Sequence, residues 1–390
     1  MRGAELPVVK GLVATVGGRQ VFVPIGQVSS LAGEVLKLGS ARLDLRHFER
    51  RQGEVLLRAD VLGHRLIDVQ AAHLTKAADL ELEHRAGEWV LTGVDTRRRR
   101  HRLAGRAGRE PGERAFREWG RFEPLIGHRH SAMLRGPFAR IHRLKPAQIA
   151  DLLEEASKAE ETEILGQVHA DLELEADVFE ELDEDLAARL LGARTDEEIA
   201  GVLSRMRADD AADAVTELPQ ERRQAVLDLM SPGQRTKVMT LLGFNPTSAG
   251  GLMGVDFLTL SPAVTIGEAL AAVARSHTLQ PEALTSVHAV DGSGRLHGVA
   301  RLVTLLQADP ATPLGEVCDR DPVRVGPDTD VVDVAVLMSD YNLITIPVVD
   351  EHRHMIGIIT VDDVLEATVP ADWRRREAAE PPDARAGDGQ

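Results

Sequence analysis

The strongest constraint on how this 390-residue chain folds is a duplication in its C-terminal third. Leu258-Thr-Leu-Ser-Pro262 is matched by Val323-Arg-Val-Gly-Pro327 at an offset of 65. After a short deletion, Val290-Asp291 and Gly298 are matched by Val349-Asp350 and Gly357 at an offset of 59. Each copy reads strand, helix, strand, strand, helix, so the region is two α/β units in tandem, over 246–317 and 318–369. A Gly/Pro-rich joint, Asn245-Pro-Thr-Ser-Ala-Gly-Gly-Leu-Met-Gly-Val-Asp-Phe257, leads into the pair.

Upstream, over 136–245, the texture is helical and fragmented. Patterns of eight to twelve residues are separated by polar or proline turns. Ile149-Ala-Asp-Leu-Leu-Glu-Glu155, Glu175-Ala-Asp-Val-Phe-Glu-Glu181 and Asp210-Ala-Ala-Asp-Ala-Val-Thr-Glu217 are variants of one unit, and Ile199-Ala-Gly-Val-Leu-Ser204 is a diverged copy. Aligning Ala150, Ala176, Ala200 and Ala212 gives spacings of 26, 24 and 12, which predicts stacked helices in a superhelix. Each helix buries one apolar stripe and turns acids outward. Asp209 and Asp213 project from one side of the same helix, where two like charges cost a few tenths of a kcal/mol unless compensated.

Residues 1–135 read as short β segments forming a small barrel, as one or two modules. Val21-Phe-Val-Pro-Ile25, Glu54-Val-Leu-Leu-Arg58, Arg65-Leu-Ile-Asp-Val69 and Trp89-Val-Leu-Thr-Gly-Val94 are strand-like, punctuated by Gly17-Gly18 and Gly63. A shorter group from Trp119 to Gly127 repeats or extends the unit. The whole is a multidomain α+β chain, ending in a tail over 370–390 of disordered composition.

Charge is divided along the chain. Residues 1–150 hold 27 Lys/Arg against 16 Asp/Glu, and residues 151–390 hold 19 against 46. An acidic body disfavours nucleic acid and favours cations or basic partners. The run Arg97-Arg-Arg-Arg-His-Arg102 lacks the interleaved aromatics of a base-stacking surface and reads as a solvated loop. His128 and His130 lack a nearby carboxylate and make a poor metal site. The single cysteine, Cys318, excludes an internal disulfide and a thiolate-rich metal site, and its apolar surroundings predict a small core residue. No apolar run approaches the ~18 residues that span a bilayer, and the start lacks a secretory signal, so a cytoplasmic protein is expected. No phosphate loop with its lysine, nucleophile elbow or histidine-rich metal triad is present, which argues against an enzyme.

The duplicated unit resembles a pair of CBS domains. The second copy carries the marks Pro327-Asp-Thr-Asp330, Ile346-Pro-Val-Val-Asp350 and Gly357-Ile-Ile-Thr-Val-Asp-Asp-Val-Leu365. With the short acidic helices and Ala249-Gly-Gly-Leu-Met253, residues 144–367 resemble the cytosolic half of MgtE-type magnesium transporters. The first 135 residues resemble PRC-barrel modules. Together with Pro370-Ala-Asp-Trp-Arg374, the arrangement is similar to actinobacterial stand-alone proteins without a transmembrane domain.

That resemblance implies Mg²⁺ as a regulatory ion, held by acids between the helical domain and the CBS pair, a chemistry suited to a hard, partly hydrated cation. The matching positions here are Asp177, Asp209, Asp213, Asp330, Asp363 and Glu366. Val332, beside Asp333, and Asn342 stand where the family has acids, which implies fewer or weaker sites. The resemblance also implies an adenine nucleotide, with Thr360 and Asp363 as the ribose-type half-site. In the first copy Arg301 and Thr304 take those places, and Leu343 replaces an aromatic beside the adenine. As a plain reading of the residues, Thr360 and Asp363 make a helix cap.

The function expected is a non-enzymatic divalent-cation sensor acting on a separate membrane transporter or lying at an anionic membrane surface on the cytoplasmic side. CBS pairs imply a homodimer. The alternatives are an adenine-nucleotide-responsive regulator and a scaffold or adaptor.

Overall fold

The computed structural model describes residues 6–32, 35–39, 44–51, 54–96, 116–125 and 140–369. The arginine run from Arg97, His128, His130 and the tail beyond Val369 lie outside the described residues. The chain divides into two compact units, residues 1–187 and 188–390.

In the first unit, β1 (Gly11–Val16) and β2 (Arg19–Pro24) form a hairpin whose turn needs the positive φ of Gly17 and Gly18, 57° and 79°. A second hairpin joins β3 (Val28–Ala32) to β4 (Val35–Leu38). Then come β5 (Arg65–Asp68), β6 (His73–Lys76), β7 (Asp79–Arg85), β8 (Glu88–Asp95), β9 (Arg117–Glu118) and β10 (Phe122–Pro124). These make two three-stranded sheets, ordered β10-β5-β6 and β7-β8-β9. Among the described residues, the group near Trp119 adds one strand to each sheet. Val61, Leu66, Ala77, Leu91, Val94, Trp119 and Phe122, from both sheets and the turns that connect them, share one core. Among the described residues the four sheets remain separate and close no barrel.

The strand expected at 54–58 does not form. Leu57–Val61 makes one wide helical turn instead. Asp60 dictates it: one carboxylate oxygen accepts the Leu56 N–H at 2.7 Å and the other takes Arg50 at 3.1 Å, which curls the chain back on itself. Fully buried Asp68 is likewise held, by Arg121 at 2.6 Å and Arg117 at 3.2 Å. The helices of this unit are α1 (Pro146–Glu155), α2 (Lys158–Val168) and α3 (Leu172–Glu180), with α4 (Glu184–Gly192) running across the division. Arg65 ties the strands to them, donating to the Glu155 carbonyl at 3.2 Å and the Glu160 carboxylate at 3.1 Å.

The second unit opens with α5 (Asp196–Leu203), α6 (Ala208–Glu217), α7 (Gln220–Leu229) and α8 (Pro232–Leu241). Reciprocal capping starts α5, where Thr195 and Glu198 satisfy each other's backbone N–H groups at 3.3 and 2.9 Å. Helix α5 packs on α7 and α6 on α8. All four aligned alanines, Ala150 and Ala176 in the first unit and Ala200 and Ala212 here, are buried, as the repeat predicts.

The joint contains α9 (Ala249–Leu252), followed by β11 (Thr259–Leu260), α10 (Ile266–Arg275), β12 (Ser286–Val290), β13 (Leu296–Arg301), α11 (Leu302–Gln307) and α12 (Leu314–Val317). The second copy has α13 (Val331–Tyr341), β14 (Thr345–Val349), β15 (Met355–Thr360) and α14 (Val361–Thr368). Its opening strand is reduced to one parallel bridge, Val325 to Val348, where the first copy pairs β11 with β12. Cys318 packs in the first copy's core, and burial pushes its thiol up to about 11.

The copies are interlocked. Asp319, leading into the second copy, exchanges two backbone hydrogen bonds with Val299 on β13 of the first, at 3.0 and 2.9 Å. Gly254, leading into the first copy, makes the same exchange with Ile358 on β15 of the second, at 2.8 and 3.0 Å. The hairpin tips also bond to each other: Leu296 N–H reaches the Arg353 carbonyl at 2.9 Å, and Met355 N–H reaches the Gly294 carbonyl at 3.1 Å. Every pair obeys the 65- or 59-residue offset.

Candidate functional site

Helix α6 buries Ala208, Ala211, Ala212 and Val215, which leaves its acids and the preceding Arg207 on the other faces. Two acids, Asp209 and Asp210, lie in its first turn, where the helix dipole favours negative charge. The Arg207 Nε donates to Asp210 at 2.6 Å, and its Nη1 donates to Asp363 at 3.2 Å. One arginine thus bridges the helical array to α14 of the second copy.

Asp363 is buried. Its second carboxylate oxygen accepts the Thr360 N–H at 3.1 Å and lies 2.6 Å from the Thr360 hydroxyl, the helix cap expected of this pair. Burial, helped by the charge of Asp209, pushes the Asp363 carboxyl up to about 6 against the Thr360 hydrogen bond. Burial also raises the Asp209 carboxyl; Arg207 opposes the rise and the charge of Asp256 adds to it. Asp256, in the joint, is held by Lys237 of α8 at 2.6 and 2.7 Å.

Of the six acids expected as ligands, this geometry brings Asp209 and Asp363 into each other's field. Asp213 and Glu366 are exposed one helical turn farther along α6 and α14. Asp330 caps α13 through the Val332 N–H at 2.9 Å. Asp177 is exposed on α3, in the first unit. No group of three or more Asp, Glu, His or Cys side chains converges on a metal position among the described residues. The oxygen-only donor set and the two burial-raised carboxylates suit a hard cation, while the number of converging donors falls short of a complete shell.

Arg207, Asp256 and Lys237 were missed by sequence reasoning. Their signals were an arginine two residues before Asp209 and an acid inside the joint. The two family departures have visible settings: Val332 is exposed, and Asn342 closes α13 with a left-handed backbone, φ 51°, that asparagine tolerates. In the first copy Arg301 and Thr304 are both exposed at the start of α11.

The profile of the MgtE intracellular N domain matches residues 144–247, and that of the CBS domain matches 314–370. A crystal structure of the cytosolic domain of the Mg²⁺ channel MgtE in complex with ATP aligns with 30% identity and a TM-score of 0.54, covering 58% of this chain and 92% of that one. This chain belongs to the MgtE family. The Thermus thermophilus magnesium transporter MgtE is 37% identical to it over 181 residues, 45% of this chain and 40% of that protein. The Enterococcus faecalis MgtE is 28% identical over 130 residues, 33% of this chain and 28% of that protein. The chain thus spans less than half the length of these two transporters. The soluble part of a magnesium transporter, at 23% identity and TM-score 0.54, has the same fold. No helix among the described residues of this MgtE-type module is long and apolar enough to cross a membrane.

Proposed function

We propose that this MgtE-type module is a non-catalytic regulator that senses a divalent cation, with Mg²⁺ as the first choice, on the cytoplasmic side of a membrane. The observation that carries the reading is the approach of α6 to α14, where Arg207 at the start of α6 reaches Asp363 at 3.2 Å and the charge of Asp209 helps to raise the Asp363 carboxyl. Asp213 and Glu366, each one turn along the same helices, would complete an oxygen donor set, with waters filling the rest of the ion's shell. Asp330 and Asp177 are further candidates for separate, weaker sites. The ion would supply the positive charge that lets the two acidic faces approach.

The test is the melting temperature and small-angle scattering profile of the full chain across millimolar Mg²⁺. Ligand linkage predicts a rise in melting temperature and a more compact particle. A melting curve and scattering profile that do not move over that range would end this reading.

The basic β region, which carries the PRC-like resemblance, is proposed to dock on a separate membrane transporter or an anionic membrane surface. A homodimer is proposed through the CBS pair, supported by the exposed apolar Val332 and Val336 on α13 and Leu365 on α14.

A second reading, adenine-nucleotide binding at Thr360 and Asp363, is supported by the intact pair and by the ATP named with the 30%-identical MgtE cytosolic domain. Calorimetric titration with ATP, ADP and AMP separates it from the first. Nucleotide heat that disappears in Asp363→Asn would favour it.

A further inference from the structure

We propose that the second copy carries an anion site at the hairpin end of its sheet, an open cleft in which Arg324 and Arg353 receive a phosphomonoester whose hydroxyl groups face Asp328 and Glu351. The site is independent of both the cation and the adenine-nucleotide readings.

These four residues and Asp350 line a cleft of about 590 Å³. Strand β14 runs from Thr345, opposite Thr360, to Val349, opposite Met355, and the cleft lies at the Val349 end. It is therefore a strand's length away from the Thr360–Asp363 pair. Val325 bridges Val348 in parallel, so the cleft sits outside the carboxyl ends of two parallel strands, the edge at which open α/β sheets receive ligands.

The duplication supplies an internal control. Arg324, Asp328, Glu351 and Arg353 stand where the first copy has Thr259, Ala263, Gly292 and Gly294. All four charges thus belong to the second copy alone. Asp350 is different: like its twin Asp291 it accepts the N–H groups of its own turn, here His352 at 2.9 Å and His354 at 2.7 Å. Arg353 also holds φ 67°, where glycine would be unstrained, and backbone strain of this kind collects at ligand sites.

The arginines are positioned for an oxyanion. Arg324 Nη1 donates to Asp321 at 2.9 Å and to the Pro322 carbonyl at 3.1 Å, which fixes the guanidinium plane and turns its Nε and Nη2 edge over to a ligand. Arg353 acts by charge on the same Asp321, so both guanidiniums share one neighbourhood. Two forks suit a phosphate dianion better than a single carboxylate, which one fork would satisfy. Asp328 and Glu351 are exposed acceptors at the rim, so they repel a bare anion and favour one that brings hydroxyl donors.

The test is calorimetric titration of the full chain, in phosphate-free buffer at constant ionic strength, with inorganic phosphate, glycerol 3-phosphate and chloride as probes. Glycerol 3-phosphate should bind more tightly than inorganic phosphate, and chloride should give no saturable heat. Three variants install the twin's residue. Arg353→Gly relieves the backbone, so it should melt at or above wild type without ligand while binding glycerol 3-phosphate at least about tenfold more weakly. Arg324→Thr should weaken binding by a similar factor, and Asp328→Ala should narrow the preference for glycerol 3-phosphate over inorganic phosphate. No saturable binding by wild type, or equal binding by wild type and Arg353→Gly, would overturn the proposal. So would an unchanged preference in Asp328→Ala, or binding that survives Arg353→Gly and is lost in Asp363→Asn, which would move the anion to the Thr360 end. Should Arg324→Thr fail to fold, Arg353→Gly decides alone, since its loss of binding cannot come from a weakened fold.

Discussion

Gly294 and Arg353 stand at the same corner of the two hairpins, 59 residues apart, and both hold left-handed backbone, with φ of 86° and 67°. Each uses that conformation to offer its carbonyl to the other copy, Gly294 to Met355 and Arg353 to Leu296. Glycine adopts it freely and arginine does not. Arg353→Gly should therefore raise stability by about 0.5–1 kcal/mol, and Gly294→Ala should lower it by about 1 kcal/mol. Space does not confuse the second change, since a Cβ at Gly294 would meet nothing nearer than 3.9 Å. Urea unfolding of both variants checks the pair of signs.

A second twin pair separates backbone from side-chain crowding. A Cβ on Gly298 would sit 2.5 Å from the Asp319 carbonyl oxygen and 2.8 Å from the Cys318 Cβ, both fixed by the crossing segment. One on Gly357 would instead meet Met253, at 2.5 Å from its sulfur and 2.7 Å from its Cγ. A thioether can yield where a bridged backbone cannot. Gly298→Ala is expected to cost about 2–3 kcal/mol and Gly357→Ala about 1 kcal/mol, read from unfolding midpoints. The reverse order would contradict the account of the interlock.

The pH response should contain two opposed contributions. Asp363 is raised from 3.8 to about 6 on folding, so the native state binds its proton more tightly than the unfolded chain. Its contribution to stability is full below about pH 4 and is lost as pH rises through about 6, on the order of 2–3 kcal/mol. Asp363→Asn should remove that part of the slope between pH 4 and 6 in urea titrations. A variant whose stability runs parallel to wild type across this window would refute it.

His288 acts with the opposite sign. It is fully buried on β12, the Leu258 carbonyl lies near its ring outside hydrogen-bond geometry, and burial lowers its pKa from 6.5 to about 4. The native state keeps it neutral, so its contribution is present above about pH 6.5 and is lost as pH falls through about 4. His288→Leu should flatten the acid-side decline, measured as melting temperature at pH 6.5 and at pH 4.5. An unchanged difference between those two temperatures would show that this ring does not drive the decline.

The parts of this fold legible in the sequence were those written in local periodicity. Ala150, Ala176, Ala200 and Ala212 marked the buried stripes, and Thr360 with Asp363 marked a helix start. The misreadings fall where distant chain decides. Glu54 to Arg58 has strand composition, but the Asp60 carboxylate captures Leu56 and curls it. The motifs of the second copy all lie within 327–365, and nothing in them points to Gly254 of the joint, which finishes its sheet. Arg207 carried no motif at all. Its meaning depends on Asp363, a residue that becomes its neighbour only after folding.

The exchange of Gly254 and Asp319 also bears on how this region tolerates being cut. A fragment holding the second copy alone would leave β15 with bare N–H and C=O groups at Ile358, and one holding the first copy alone would do the same to β13 at Val299. Such raw edges recruit any compatible strand. Either half expressed by itself should therefore self-associate, whereas the intact pair, with both edges occupied by its own chain, keeps its sheets from strangers.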